Sequence, residues 1–383
     1  MKVINLSTYP PRQCGIASFS RDLYDSLAKQ GQKMQIVAVT DEPVAQEYPE
    51  EVIFDIKQEN YAEYVELADY INSSNTGLCI IQHEYGIYGG PDGEYLLAMT
   101  EQLKKPYVLV AHTVLTEPSA NQHRVFFKLL SGAAGVVGMS RRSIKLMAQI
   151  YAVPDSKLHF IHHGVPDFPL LNRDELKQSY DWKHCQVITT FGLIGPGKGL
   201  ENGIKAIALL KDKYPNILYL IAGQTHPVLQ RREGNVYYES LYALAEALGV
   251  SQQVFFDKRY LPLDELARYL NLTDIYMTPY PNRQQAVSGT LAYALGCGLA
   301  IVATPYEYAL EMLQEGQSGL IAEGTSAPCL ARALDLILSS PELKQRLEQA
   351  AWQLGRQMRW SSVAQQYILL ARNLMQEPAE LQL

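Results

Sequence analysis

The stretch VITTFGLIGPGKGLENGIKAIALLKDKYPNILYLIA, Val187 to Ala222, decides how the chain is read. It opens on an apolar run of strand length, Val187 to Phe191, and passes into a turn containing Gly192, Gly195, Gly197 and Gly199. Helical spacing then holds from about Leu200 to Lys213, and a second apolar run follows, Ile217 to Ala222. Strand, tight turn, helix and strand make a βαβ unit, which implies a parallel sheet.

The same alternation extends in both directions. Toward the N-terminus it predicts strands at Val3–Leu6, Met34–Val39, Leu78–Gln82, Tyr107–Ala111, Gly135–Gly138 and Leu158–Ile161, with a helix from Ser18 to Gln30 capped by Ser18. Toward the C-terminus it predicts strands at Val254–Phe256, Ile275–Thr278 and Leu299–Val302. Around His163 to Tyr180 the pattern lapses into Pro, Gly and charge, so a domain boundary is expected there. The expected fold class is α/β: two doubly wound domains, residues 1–170 and 185–357, followed by a tail, residues 358–383. Glu342–Leu354 and Ser361–Met375 read as helices without a strand between them, the second able to pack back across the first domain.

Composition limits the function. At 383 residues, with 47% apolar and 19% charged side chains, the chain is an ordinary globular protein with room for two or three domains. Its 33 basic and 40 acidic residues leave a net charge of −7, the wrong balance for a nucleic-acid surface. Cys14, Cys79, Cys185, Cys297 and Cys329 are far apart and odd in number, so neither a disulfide framework nor a zinc site is expected. The start, MKVINLSTYPP, lacks the run of a signal peptide, and the expected address is the cytoplasm. From Ala286 to Tyr306 there is no charge, but the Gly296-Cys297-Gly298 break divides this stretch into a buried helix and a strand.

Ligands in such sheets bind beyond the carboxyl ends of the strands. The loop after the first strand, TYPPRQCGIAS, puts Gly15 near a helix start and Arg12 beside it, either an anion site or a Pro-stiffened turn with a surface arginine. GLIGPGKG, Gly192 to Gly199, fits neither GxxxxGK[ST] nor GxGxxG, yet Gly197, Lys198 and a helix N-terminus favour a phosphate. NRQQAVSGT presents Ser288, Gly289 and Thr290 at another helix start, with Arg283 close by. QHEYGIYGG and VAHT place His83, Glu84 and His112 just after strands, as a general base, sugar-hydroxyl ligands or satisfied loop side chains. No HExxH or GxSxG pattern occurs, and no metal or cofactor is expected. Arg141, Arg142 and Lys145 with Ile144, Met147 and Ile150 form a basic amphipathic helix, for which a solvated face is a simpler reading than peripheral membrane contact.

Taken in order, these motifs resemble the retaining GT-B glycosyltransferases of family 4 over essentially the whole chain. The matching features are Gly15, His112, IHHGVPD ending at Asp167, Lys198-Gly199, TDIYMTPY (Thr273–Tyr280) and ALGCG (Ala294–Gly298) with Thr304. SGLI (Ser318–Ile321) and RWSSVAQQY (Arg359–Tyr367) complete the set. The resemblance implies two Rossmann-like domains facing a central cleft, the first holding a carbohydrate or lipid-linked acceptor and the second a nucleoside-diphosphate sugar. It also implies terminal helices that cross back to the first domain. It assigns the donor phosphates to Lys198, Gly15 and the N–H groups of Gly289 and Thr290, and the sugar to His112.

The departures from the family pattern are specific. The family's paired glutamates fall on Gln285 and Tyr293, and its phosphate-loop arginine falls on Leu193, leaving Arg259 or Arg283 to supply that charge. The expectation is therefore that Arg12, Lys198, Arg259 and Arg283 converge. The missing ribose carboxylate keeps a glycoside phosphorylase or sugar-1-phosphate enzyme open as an alternative, with a non-catalytic carbohydrate-binding homologue as a third reading.

Overall fold

The structure, a computed structural model, describes residues 2–41, 47–314 and 317–376. The chain divides into two compact units, one made of residues up to Gly164 together with those from Trp360 onward, the other of Val165–Arg359.

The first unit runs β1 (Val3–Ser7), α1 (Gly15–Lys29), β2 (Met34–Thr40), β3 (Val52–Lys57), α2 (Tyr61–Ser73) and β4 (Leu78–His83). It continues with α3 (Tyr95–Thr100), β5 (Tyr107–Ala111), α4 (Ala120–Gly132), β6 (Gly135–Gly138), α5 (Arg141–Tyr151) and β7 (Leu158–Phe160). Among the described residues its seven strands lie in the order β3-β2-β1-β4-β5-β6-β7, and every neighbouring pair is parallel. β1, β4 and β5 are buried along their whole length because helices cover both faces, which is why they read as continuous apolar runs. The order reverses between β1 and β4, so the crevice of this sheet opens at the ends of those two strands.

Two sequence expectations are corrected here. α1 begins at Gly15, not Ser18: Cys14 is the N-cap, its Sγ accepting the Ala17 N–H at 3.4 Å. A thiol lies outside the usual capping set of Ser, Thr, Asp and Asn, so the residue pattern pointed to the next hydroxyl instead. β3 was not expected; it is an edge strand whose Asp55 and Lys57 are exposed, so it lacks the apolar signature of its neighbours. The apolar side of α5 faces inward, with Leu146 and Met147 buried and Ile144 and Ile150 packed on the core. Arg142 and Lys145 remain on the exposed side.

The second unit runs α6 (Arg173–Ser179), β8 (Gln186–Phe191), α7 (Leu200–Leu210), β9 (Ile217–Ala222), α8 (Pro227–Glu233), α9 (Val236–Ala247) and β10 (Val254–Asp257). It continues with α10 (Leu263–Leu272), β11 (Ile275–Thr278), α11 (Gly289–Gly296), β12 (Ala300–Ala303), α12 (Glu307–Ala309), β13 (Leu320–Ile321), α13 (Ala327–Leu338) and α14 (Pro341–Gln357). Among the described residues six parallel strands lie in the order β10-β9-β8-β11-β12-β13, and the reversal falls between β8 and β11. The uncharged stretch Ala286–Tyr306 resolves into α11 and β12. Among the described residues no helix is long and apolar enough to cross a membrane.

Backbone crowding fixes the turn after β9. Gly223 has φ +138° and donates its N–H to the Asp257 carbonyl at 2.7 Å. A Cβ there would lie 1.9 Å from the Gly192 carbonyl oxygen. Gly223→Ala should therefore destabilise the second unit by about 2–3 kcal/mol through strain and overpacking. The expected readout is a lower urea midpoint at unchanged slope, and a midpoint equal to that of the parent would refute the assignment.

After α14 the chain returns to the first unit as α15 (Trp360–Gln376), which lies along α1. The Trp360 indole N–H donates to Asp22 at 3.2 Å and the Ser26 hydroxyl to the Trp360 carbonyl at 2.9 Å. The rings of Trp360 and Phe19 meet edge-on at 4.9 Å.

Candidate active site

At the switch point of the second sheet the loop after β8 lies against the loop after β11. Gly199 makes this approach feasible: it has φ +61°, and a Cβ on it would stand 2.2 Å from the Pro279 carbonyl oxygen. One residue earlier, the Lys198 ammonium donates to the Tyr280 hydroxyl at 2.6 Å and stands 4.4 Å from the centre of that ring. The Tyr280 hydroxyl is 2.7 Å from Thr290 Oγ1, which is 3.3 Å from Ser288 Oγ.

Ser288 is the N-cap of α11, its Oγ accepting the Leu291 N–H at 3.3 Å. The first intrahelical bond runs from the Ala292 N–H to the Ser288 carbonyl at 3.0 Å, which leaves the N–H groups of Gly289 and Thr290 heading the helix. An ammonium, hydroxyls and the positive end of a helix thus meet at one strand-end crevice, an arrangement suited to a phosphate or diphosphate.

The other residues expected in this unit are distributed differently. Gly197 lies in the turn Pro196–Lys198, in open space. Arg259 does not join Lys198: it follows β10 and is ion-paired to Asp257 at 2.7 Å and Glu265 at 2.8 Å. Arg283 is exposed in the loop after β11, where its carbonyl accepts the Glu307 N–H at 2.9 Å. Gln285 turns its amide back onto the Val287 carbonyl at 2.7 Å. Tyr293 packs against Phe168 and Phe191, at 5.6 and 6.3 Å between ring centres. The expected convergence of cations in this unit therefore reduces to Lys198.

Two residues not assigned from the sequence join it instead. Tyr280 reads in TPYP as one more apolar residue at a strand end. His226, in GQTHP, caps α8; burial lowers its pKa, and the positive charges of Lys198 and Arg231 lower it further.

In the first unit, a buried chain of side chains crosses β1, β4 and β5. The Gln82 amide donates to Asn5 Oδ1 at 2.9 Å, and Gln82 Oε1 lies 2.9 Å from His112 Nε2. Because that amide oxygen can only accept, Nε2 carries the proton. Burial, with the nearby His163 and His83, holds His112 well below its ordinary pKa, so it is a neutral ring whose Nδ1 can accept a hydrogen bond from a hydroxyl.

His83 lies on the opposite side of β4 from Gln82, 1% exposed among Tyr85 and Phe126, and burial lowers its pKa to about 3. Glu84 accepts from the Thr113 hydroxyl at 2.6 Å and the Tyr85 N–H at 3.0 Å, and burial raises its carboxyl above the ordinary range despite both bonds. Gly15 heads α1 in open space. Arg12 is held by the Val39 carbonyl and Gln58, each at 3.2 Å, with Asp41 at 3.6 Å.

Residues 172–353 match the model of the family described as glycosyl transferases group 1. The second unit is a glycosyl transferases group 1 domain. Consistent with that, the chain is 26% identical over 174 residues to a GDP-mannose-dependent alpha-(1-6)-phosphatidylinositol monomannoside mannosyltransferase of Mycolicibacterium smegmatis, spanning 44% of this chain and 43% of that protein. It is 28% identical over 186 residues to a D-inositol 3-phosphate glycosyltransferase of Corynebacterium glutamicum, spanning 48% and 42%. The chain thus spans less than half the length of these curated relatives. Among solved structures, a glycosyltransferase from Rickettsia africae ESF-5 matches with a TM-score of 0.79 at 16% identity, over 98% of this chain and 99% of that one. Anabaena Alr3699/HepE in complex with UDP matches with a TM-score of 0.78 at 15% identity, over 97% and 100%. The glycosyl transferases group 1 domain therefore sits in a chain with the two Rossmann-like units of the GT-B fold.

Proposed function

We propose that the protein is a retaining glycosyltransferase that moves a hexosyl group from a nucleoside-diphosphate sugar to a carbohydrate or lipid-linked acceptor. The observation that carries this reading is the meeting of Lys198, Thr290 and the α11 N-terminus at the switch point of the second sheet. Cleavage of the sugar–phosphate bond leaves negative charge on the departing phosphate, and preorganised donors aimed at such a developing charge are usually the largest catalytic contribution. In this reading the phosphate charge is met by the ammonium and the N–H groups of Gly289 and Thr290, without a metal ion. Neutral His112 accepts a sugar hydroxyl, and Glu84 is a further hydroxyl ligand. The free cysteines suit a reducing compartment, which supports a cytoplasmic setting.

Thermal unfolding in the presence of UDP-, GDP- and ADP-sugars tests the reading. At one hundred times its dissociation constant a true donor adds about 2.7 kcal/mol to the native state, a midpoint increase on the order of 5 °C. No increase with any donor at millimolar concentration would refute it. The packing of Tyr293 against Phe168 and Phe191, where the family has a carboxylate, favours a second reading as a glycoside phosphorylase. That reading predicts stabilisation by inorganic phosphate together with sugar and indifference to nucleotides.

A further inference from the structure

We propose that Tyr280 is a positioning residue that holds Lys198 and links it to the start of α11, occupying the ammonium until the donor phosphates displace it. The inference rests on the donor-binding role proposed for Lys198, but its geometry is independent of which donor is used. The Tyr280 hydroxyl accepts from Lys198 at 2.6 Å and stands 2.7 Å from Thr290 Oγ1, so one oxygen joins both phosphate-facing elements. The ammonium also stands 4.4 Å from the centre of that ring, within the range of cation–π attraction.

The ring itself is held rigidly. Tyr280 is 3% exposed, stacks on Tyr306 at 5.3 Å and 24°, and has its carbonyl fixed by the Thr304 hydroxyl at 2.6 Å. A flexible lysine beside an open glycine loop would otherwise lose much of its charge density to rotamer averaging.

The groups that act on the Tyr280 phenol electrostatically are Lys198 from the glycine loop, Tyr276 and Tyr306 from its own crevice wall, and Tyr219 from β9. Burial raises the phenol, but the Lys198 charge and hydrogen bonds from Lys198, Thr290 and Ser288 outweigh it, leaving it below the ordinary tyrosine range. At alkaline pH the phenolate becomes a competing anion: it keeps Lys198 and weakens its hold on phosphate. Donor binding should therefore fall on the alkaline side, as the Tyr280 phenol ionises.

Two measurements decide the matter in the full-length protein. The first is a tyrosinate absorbance titration of the parent, Tyr280→Phe and Lys198→Ala, with no ligand added. One tyrosine should ionise below the ordinary range in the parent; this transition should vanish in Tyr280→Phe and move upward in Lys198→Ala. The second is steady-state kinetics with the donor identified by thermal unfolding. Tyr280→Phe keeps the ring and should lower kcat/KM for donor about tenfold, leave the acceptor KM unchanged and shift the alkaline limb to higher pH. Identical titrations of parent and Tyr280→Phe, or unchanged kcat/KM and alkaline limb, would overturn the proposal. If the parent turns over no donor, the glycosyltransferase reading fails, while the titration still decides whether Tyr280 holds Lys198.

Discussion

Replacement of Lys198 by alanine is expected to lower turnover by about 10²–10³-fold, the loss seen when one preorganised donor to a developing oxyanion is removed. Of Lys198, Arg259 and Arg283, the structure places Lys198 with Tyr280, Thr290 and the α11 N-terminus, since Arg259 is paired with Asp257 and Glu265 and Arg283 is exposed. The ground-state diphosphate already carries charge, so donor KM should rise; the extra charge arises only as the bond breaks, so kcat should fall further. Lys198→Arg should recover only part of the activity, because a planar guanidinium cannot reproduce a compact point charge held by one hydroxyl. Circular dichroism establishes whether the fold is intact, and steady-state kinetics with the stabilising donor give the ratio. Turnover of the alanine variant within threefold of the parent would exclude Lys198 from the chemistry.

Mild acid should destabilise the first unit far more than an ordinary protein of this composition. Burial lowers the pKa of His83 to about 3 and, as the largest contribution, lowers those of His162 and His163 to about 4, from an ordinary value of 6.5. His112 is held well below its ordinary value for the same principal reason. A folded-state pKa below the unfolded one means that the unfolded chain binds more protons, so this stability is fully present above pH 6.5 and is lost as pH falls toward 4. At one pKa unit per 1.36 kcal/mol, each of these histidines removes about 2 kcal/mol between pH 7 and pH 5. Three of them together remove roughly 6 kcal/mol, comparable with the whole stability of many domains. Urea unfolding followed at pH 7, 6 and 5 measures the slope, and His83→Gln should reduce it by about one proton. A midpoint independent of pH across that range would show that these rings titrate in the folded protein as they do in the unfolded chain, and would refute the prediction.

Much of the fold was legible because parallel strands buried on both faces leave apolar runs with few competing interpretations. β8 and β9, read as Val187–Phe191 and Ile217–Ala222, lie within a residue of their observed limits. The exceptions have local causes: β3 carries Asp55 and Lys57 at a sheet edge, and β13 is two residues long. Of the candidate site, the glycine loop and the cap at Ser288 could be found because backbone geometry leaves its mark on composition. Tyr280 could not, since its hydroxyl acquires a role only when β8 and β11 become neighbours across most of a domain's sequence. Arg259 illustrates the converse: a cation near a strand end looks available until Asp257 and Glu265 are seen to hold it.

The grouping of α15 with the first unit has a consequence for how the protein is made. Trp360, which anchors α15 to Asp22 and Ser26 on α1, leaves the ribosome some two hundred residues after Gly164 has emerged. At about 5–20 residues per second, the first unit waits roughly ten to forty seconds for its last helix while the whole of the second is synthesised. Until then, the surface of α1 around Phe19 that Trp360 covers is open to solvent. The order of synthesis thus runs opposite to the order of completion: the unit that starts first finishes last, and a nascent chain stalled before Trp360 would present that uncovered helix face to chaperones.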